Sequence, residues 1–420
     1  MYHVTRLANG LTIATAEVPH LSSVSLGLWV AVGGRFEPAP LNGASHFIEH
    51  MLFKGTRRRN AEQISQAVEG IGGYLNAFTS EEYSCFYAKA TRVHLDVLLE
   101  VLVDMFLNST FDPGELRKER GVIKEELAME QDQPEQHVHE LLNETLWPEH
   151  PLGRSLTGTR KTIDDLTRAE LLAYRRKNYV APATLIVAAG ALRHERVLRS
   201  VRRFAAQFPD GDRPVYDPCV SVQSRPRIRW QRRGIAQLQM ALGVRVCSRR
   251  DPRRYPLRIL NAILGENMSS RLFQVLREER ALAYSVHSSL AFYDDVGALS
   301  IGAGLDADRL PQALRLIRDE LRRLATRPPG AAELRRARDY VIGQLDLGLE
   351  GSENQMTWVG EQLLAHGRVV TAAQIKRALR NVTAADIRGV ASEFFRPERI
   401  SLAVISPLKS ARGLEALLSP

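Results

Sequence analysis

The chain of 420 residues has little or none of several things, and each shortage removes a class of protein. It has three cysteines, Cys85, Cys219 and Cys247, too far apart to make a CxxC pair. That speaks against a disulfide framework and against a cysteine-held zinc site. No apolar run approaches the roughly 18–20 residues that a membrane-spanning helix needs; the longest lie around Val24–Val32 and Leu185–Leu192. The opening residues, Met1-Tyr2-His3-Val4-Thr5-Arg6, lack the apolar core of an export signal. We therefore expect a cytoplasmic protein without a membrane partner. No GxxxxGK occurs, so nucleotide hydrolysis has no support. Aromatic residues make up 7 % and are not interleaved with the basic ones, as a single-strand binder's stacking platform would require.

One sign of charge is in excess, at a net +9. Its distribution argues against a nucleic-acid surface. Residues 1–208 carry 24 basic and 25 acidic groups, a net of −1. The surplus of +10 lies in the remainder, in short runs such as Arg249-Arg250, Arg253-Arg254 and Arg335-Arg336. Scattered arginines on solvated helix faces account for it, and no nucleic-acid partner is expected.

What is present is an ordinary globular composition, 44 % hydrophobic and 25 % charged, in a chain long enough for two domains. An internal repeat gives the division. Glu115–Leu127 aligns with Glu333–Leu345 at an offset of 218, Leu166–Leu171 with Val382–Ile387 at 216, and Gly73–Leu75 with Ala283–Ser285 at 210. The expected domains are 1–208 and 226–420, joined by a Pro/Gly/Asp-rich linker at 209–225. Leu11–Ala16, Val24–Val32 and Tyr83–Lys89 read as strands, and Leu75–Thr79 as a short one. His94–Phe106 and Asp112–Gln131 read as helices, the second with Asp112 as N-cap and Pro113 in its first turn. Strands cluster before helices, which predicts an α+β fold.

Chemistry concentrates in residues 43–56, whose centre reads His46-Phe47-Ile48-Glu49-His50. On a helix, residues i and i+4 share a face one turn apart, so both imidazoles can reach one metal ion. Glu49 lies on the same face and can serve as a base toward water beside that metal. This is the HExxH arrangement written in reverse. A third ligand must come from elsewhere. The helix over 112–131 offers Glu115, Glu119, Glu125, Glu126 and Glu130, and spacing alone does not choose between Glu125 and Glu126. His137-x-His139 does not share a helix face, which argues against a second metal site. His94, His287 and His366 stand alone in the sequence and read as structural or exposed.

The residues quoted so far carry a resemblance. Gly43–Thr56, Gly72–Ser80 and Lys118–Leu127 are similar to segments of the pitrilysin-type zinc peptidases, in the branch of the mitochondrial processing peptidase and its bacterial relatives. The resemblance spans essentially the whole chain. It implies one Zn2+ per chain held by His46, His50 and Glu126, with Glu49 as general base and Glu119 as a supporting carboxylate. The family places its third ligand just before the apolar residue that is Leu127 here. Through the repeat, His46, Glu49 and His50 map to Pro256, Ile259 and Leu260, and Glu119 and Glu126 to Ala337 and Gln344, so the second half has no metal motif.

That second half contains Ser269–Ser285, which resembles the family's arginine–tyrosine motif. It implies Arg277 and Tyr284 as donors to the substrate carbonyl. A run of glycines common in the family is replaced here by Gly265-Glu266-Asn267-Met268. Asn76, Ala77, Phe78 and Thr79 are the candidates for holding an extended peptide by strand addition, if their strand is an exposed edge rather than an interior one. Residues 100–149 carry 13 acidic against 4 basic groups, which would favour basic peptides. The resemblance further implies two α+β domains, each a mostly antiparallel sheet with helices, forming half of a clam-shell chamber. The expected activity is a metalloendopeptidase acting on peptide substrates as a homodimer, with a heterodimer as the other arrangement. The rival expectation is a non-catalytic assembly subunit with the same fold.

Overall fold

The computed structural model describes residues 1–219 and 222–408, together with Leu414 and Leu418. The first half contains β1 (Tyr2–Arg6), β2 (Thr12–Glu17), β3 (Ser23–Val30), α1 (Ala44–Leu52), α2 (Ala61–Glu69), β4 (Tyr74–Thr79), β5 (Ser84–Thr91), α3 (Leu95–Asn108), α4 (Pro113–Gln131), α5 (Pro134–Leu146), α6 (Arg160–Asp165), α7 (Arg168–Asn178), β6 (Thr184–Gly190) and α8 (His194–Arg202). The second contains β7 (Arg227–Arg232), β8 (Leu238–Val246), α9 (Arg254–Leu264), β9 (Ala283–Phe292), β10 (Gly297–Leu305), α10 (Leu310–Thr326), α11 (Ala331–Gly348), α12 (Ser352–His366), α13 (Ala372–Asn381), α14 (Ala384–Phe394) and β11 (Ile400–Ser406). The strands and helices expected from the sequence appear within two residues of their limits. Asp112 does cap α4, accepting from the backbone N–H groups of Gly114 and Glu115.

Two sheets result, ordered β1-β2-β6-β3-β5-β4 and β7-β11-β8-β10-β9. Each has one parallel pair, β2/β6 and β7/β11, and is otherwise antiparallel. Leaving out β1, the two orders match strand for strand, which is the internal repeat expressed as topology. The repeat extends to helix ends. Thr167 and Glu170 make a capping box at α7, and Thr383 and Asp386, 216 residues on, make another at α14. The fold is α+β, as expected.

Each sheet is apolar on both faces. In the first, Ile13, Leu26, Leu28, Phe86 and Ile186 face a core shared with α1 and α3. The alternate residues Ala14, Trp29, Cys85, Leu185 and Val187 face the other way, where Met356, Val359 and Leu363 of α12 cover them. The approach is close: a methyl group at Gly360 would lie 2.5 Å from Cε2 of Trp29. In the second sheet, Ala241, Ala298, Ala403 and Ile405 are covered likewise by Val138, Leu141, Leu142 and Trp147 of and just after α5.

The compact units therefore depart from the expected 1–208 and 226–420. One comprises Met1–Met129, Arg154–Asp217 and Leu347–Val369; the other comprises Glu130–Gly153, Pro218–Asp346 and Val370–Pro420. The equivalent helices α5 and α12 are exchanged, because each sheet's second apolar face needs a cover that its own half of the chain does not supply. The expected linker is helix- and strand-free over 209–219, and Val220 and Ser221 lie outside the described residues.

Candidate metal centre

Helix α1 presents the His46-x-x-Glu49-His50 triplet, and its first turn is held by a residue that sequence reasoning missed. The buried carboxylate of Glu37 accepts from the backbone N–H of Gly43 at 2.7 Å and of Ser45 at 2.6 Å. An anion at a helix N-terminus satisfies donors that have no partner within the helix. Burial raises the Glu37 carboxyl above its ordinary value, against the pull of those hydrogen bonds. Gly43, at φ +94°, makes the turn into the helix, where a side chain would meet the Thr157 carbonyl. No spacing rule points from position 37 to this helix.

Apolar Phe47, Ile48, Met51 and Leu52 bury one side of α1, leaving the histidines on the other, partly exposed. There α4 brings Glu126 alongside. Its Oε2 lies 3.8 Å from His46 Nε2 and 3.4 Å from His50 Nε2. One ligand atom from each of His46, His50 and Glu126 falls within 4.8 Å of the other two. Glu125, the alternative, is exposed, as is the solvent side of α4 in general. Glu119 is buried two turns before Glu126 and accepts from His50 Nδ1 at 3.0 Å. Its other oxygen pairs with Lys54 Nζ at 2.8 Å, a partner not foreseen from the sequence.

Two imidazole nitrogens and a carboxylate converging this closely are a donor set suited to zinc. The neutral state of the His46 ring fits as well. Burial, then repulsion by His50, pushes His46 down to about 4. Its Nδ1 is buried without a hydrogen-bond partner, whereas His50 Nδ1 is oriented by Glu119.

Glu49 is one residue away from the ligand pair and mostly buried. Burial raises its carboxyl above the ordinary range, and Glu126 adds to this, while Thr79 and His50 oppose it. The Thr79 hydroxyl donates to Glu49 Oε2 at 2.5 Å. Thr79 ends β4, which is an edge strand of its sheet, so the outer backbone positions of Asn76–Thr79 pair with no strand among the described residues. Phe78 turns its ring onto Trp29, with centroids 5.6 Å apart, and Asn76 accepts from the Ala77 N–H.

Arg277 and Tyr284 belong to the second unit, which carries none of the metal-motif residues. Arg277 sits in a π-helical turn, Phe273–Glu278, and its guanidinium lies 5.4 Å from the Tyr284 ring centroid. The tyrosine is 76 % exposed, unlike the buried core tyrosine that an ordinary amphipathic segment would give.

Comparison with known proteins bears on this geometry. Residues 12–160 match the family model for insulinase, peptidase family M16, and residues 165–341 match the M16 inactive domain. A Streptomyces coelicolor protein named an uncharacterized zinc protease is 36 % identical over 97 % of this chain and 90 % of its own length. The chain belongs to the M16 peptidase family. The Bacillus subtilis member YmxG, also named an uncharacterized zinc protease, is 35 % identical over 95 % of this chain and 97 % of its own. Among solved structures, a Helicobacter pylori protease superposes with a TM-score of 0.91 at 20 % identity, covering 97 % of this chain and 99 % of that one. A Pseudomonas fluorescens M16 inactive domain superposes at 0.90 and 18 % identity, covering 98 % of both. The two superpositions agree with the two-domain α+β fold of this M16 chain. Among the described residues, no helix is long and apolar enough to cross a membrane.

Proposed function

We propose that this M16 chain is a cytoplasmic zinc metalloendopeptidase that hydrolyses peptides or unfolded segments in an enclosed chamber. The observation that carries the reading is the convergence of His46, His50 and Glu126 within 4.8 Å, beside a mostly buried Glu49. One Zn2+ held there would supply Lewis acidity toward water and the scissile carbonyl.

The chain's own residues do the rest. Glu49 takes a proton from the attacking water and passes it to the leaving amine; its burial makes it the better proton carrier near neutral pH. Thr79 fixes the carboxylate's direction. Glu119 holds a proton on His50 Nδ1 and so leaves Nε2 free as a donor atom, with Lys54 balancing the Glu119 charge. The free edge of β4 offers backbone groups of Asn76, Ala77, Phe78 and Thr79 to an extended peptide, independent of its sequence. Arg277 and Tyr284 donate to the oxygen on which charge develops. Because one chain carries both sets, a homodimer with two sites is the simplest assembly, with a heterodimer as the alternative. The acidic groups of residues 100–149 favour basic peptides.

The test is metal analysis combined with cleavage of a quenched fluorescent peptide library. Glu49→Gln should retain zinc and lose activity by roughly 100-fold or more. A mutant with full activity refutes the mechanism. A wild-type chain that neither holds metal nor cleaves any peptide favours the assembly-subunit reading.

A further inference from the structure

Three arginines share one face of α7: Arg168, Arg175 and Arg176 recur at the i, i+7, i+8 spacing of a helix. With Arg57, from the segment after α1, they line a cavity of about 640 Å³. Its other walls are the end of α3 through Thr110 and, on α7, Ala169 and Leu172; no acidic residue lines it. All of these residues belong to the unit that contains α1. Backbone carbonyls hold the α7 arginines in place. Arg168 donates through Nε to the Phe111 carbonyl at 2.7 Å and through Nη2 to that of Thr110 at 3.0 Å. Arg175 Nη2 donates to the Phe106 carbonyl, and Arg176 Nε to the Leu172 carbonyl at 3.3 Å. None of the four arginines is in an ion pair among the described residues. Neighbouring carboxylates are turned elsewhere: Glu170 accepts from the Thr167 N–H, and Asp104 pairs with Arg59.

Arg175 separates this cluster from ordinary solvated surface charge. Its Nε is buried without a hydrogen-bond partner. Burial pushes the guanidinium below its ordinary value, and no carboxylate offsets the effect. The group stays cationic all the same. A buried charge is normally paired, because leaving water without a counter-charge is costly. We propose that the cavity binds a phosphate-bearing anion, held between Arg57 and the arginine face of α7. Guanidinium forks match phosphate oxygens in pairs, and several fixed positive charges together favour a dianion over chloride or a single carboxylate. The carbonyl bonds pre-place the α7 side chains, which lowers the entropy cost of gathering them around a ligand. Leu107, Ala169 and Leu172 give the cavity an apolar wall beside its cationic one. The site shares no residue with the centre on α1 and does not rest on the peptidase reading.

The test is isothermal titration calorimetry of the full chain with inorganic phosphate in a chloride buffer. Wild type should bind one phosphate per chain. Arg57→Gln and Arg176→Gln should each weaken binding by roughly 10-fold, since each removes charge-assisted hydrogen bonds to the anion. Both side chains are exposed, so the fold survives their loss. Arg335→Gln, which alters an exposed arginine on α11, should leave the affinity unchanged. A second arm uses phenyl phosphate: tighter binding than phosphate identifies an ester as the ligand, and equal or weaker binding identifies the free anion. No binding by wild type overturns the proposal. So does equal affinity in wild type and both cavity variants, or a loss in Arg335→Gln as large as theirs.

Discussion

Cutting the chain at the boundary that its sequence suggests should yield a first half that does not fold stably. A fragment of residues 1–208 keeps β1–β6 and the whole His46-x-x-Glu49-His50 motif but loses α12. In the intact chain, Met356 and Val359 are fully buried and Leu363 is 6 % exposed, all against Trp29, Leu185 and Val187. Burial of each such side chain contributes about 1.5–3 kcal/mol, so the three together contribute on the order of 5–9 kcal/mol. That is comparable with the whole stability of a typical domain, about 5–15 kcal/mol. The exposed sheet face adds an aggregation hazard. The assay is urea denaturation followed by far-ultraviolet circular dichroism. It compares the 1–208 fragment with the same fragment extended through a flexible linker by residues 347–369. The first should show no cooperative transition, or one at far lower urea, and the second should regain it. If the unextended fragment unfolds cooperatively at the same midpoint, α12 is not the cover that the packing indicates.

Three further outcomes follow from particular contacts. Gly360→Ala should lower stability by about 1–3 kcal/mol, despite alanine's better helix propensity, because the new methyl would press into the Trp29 ring; an unchanged melting temperature would contradict that packing. Arg35→Leu should cost about 3–5 kcal/mol, since Arg35 is buried and its ion pair with Glu82 at 2.8 Å is broken; denaturant titration measures it, and a loss under about 1 kcal/mol would show the pair to be solvated. Glu119→Gln should weaken Zn2+ binding by roughly 10–100-fold in competition with a chelator while the fold persists, because it removes the anion that orients His50 and pairs with Lys54; equal affinity would deny it a supporting role.

The sequence by itself determined what is local or repeated. The His46–His50 spacing needs only a helical pitch to put both rings on one face. The cap at Asp112, the strands and the repeat are each encoded within a few residues, so all were readable. Spacing did not choose between Glu125 and Glu126: both lie on one helix, and which of them meets α1 depends on how α4 rotates against it. The resemblance implied Glu126, and the tertiary structure brings that residue to 3.4 Å from His50 while leaving Glu125 in solvent. The tertiary structure likewise recruited Glu37 and Lys54 around α1 and made β4 an edge. It also decided the domain limits. Strands apolar on both faces need cover on both, and the chain meets that need by exchanging α5 and α12, a long-range solution that no local pattern announces.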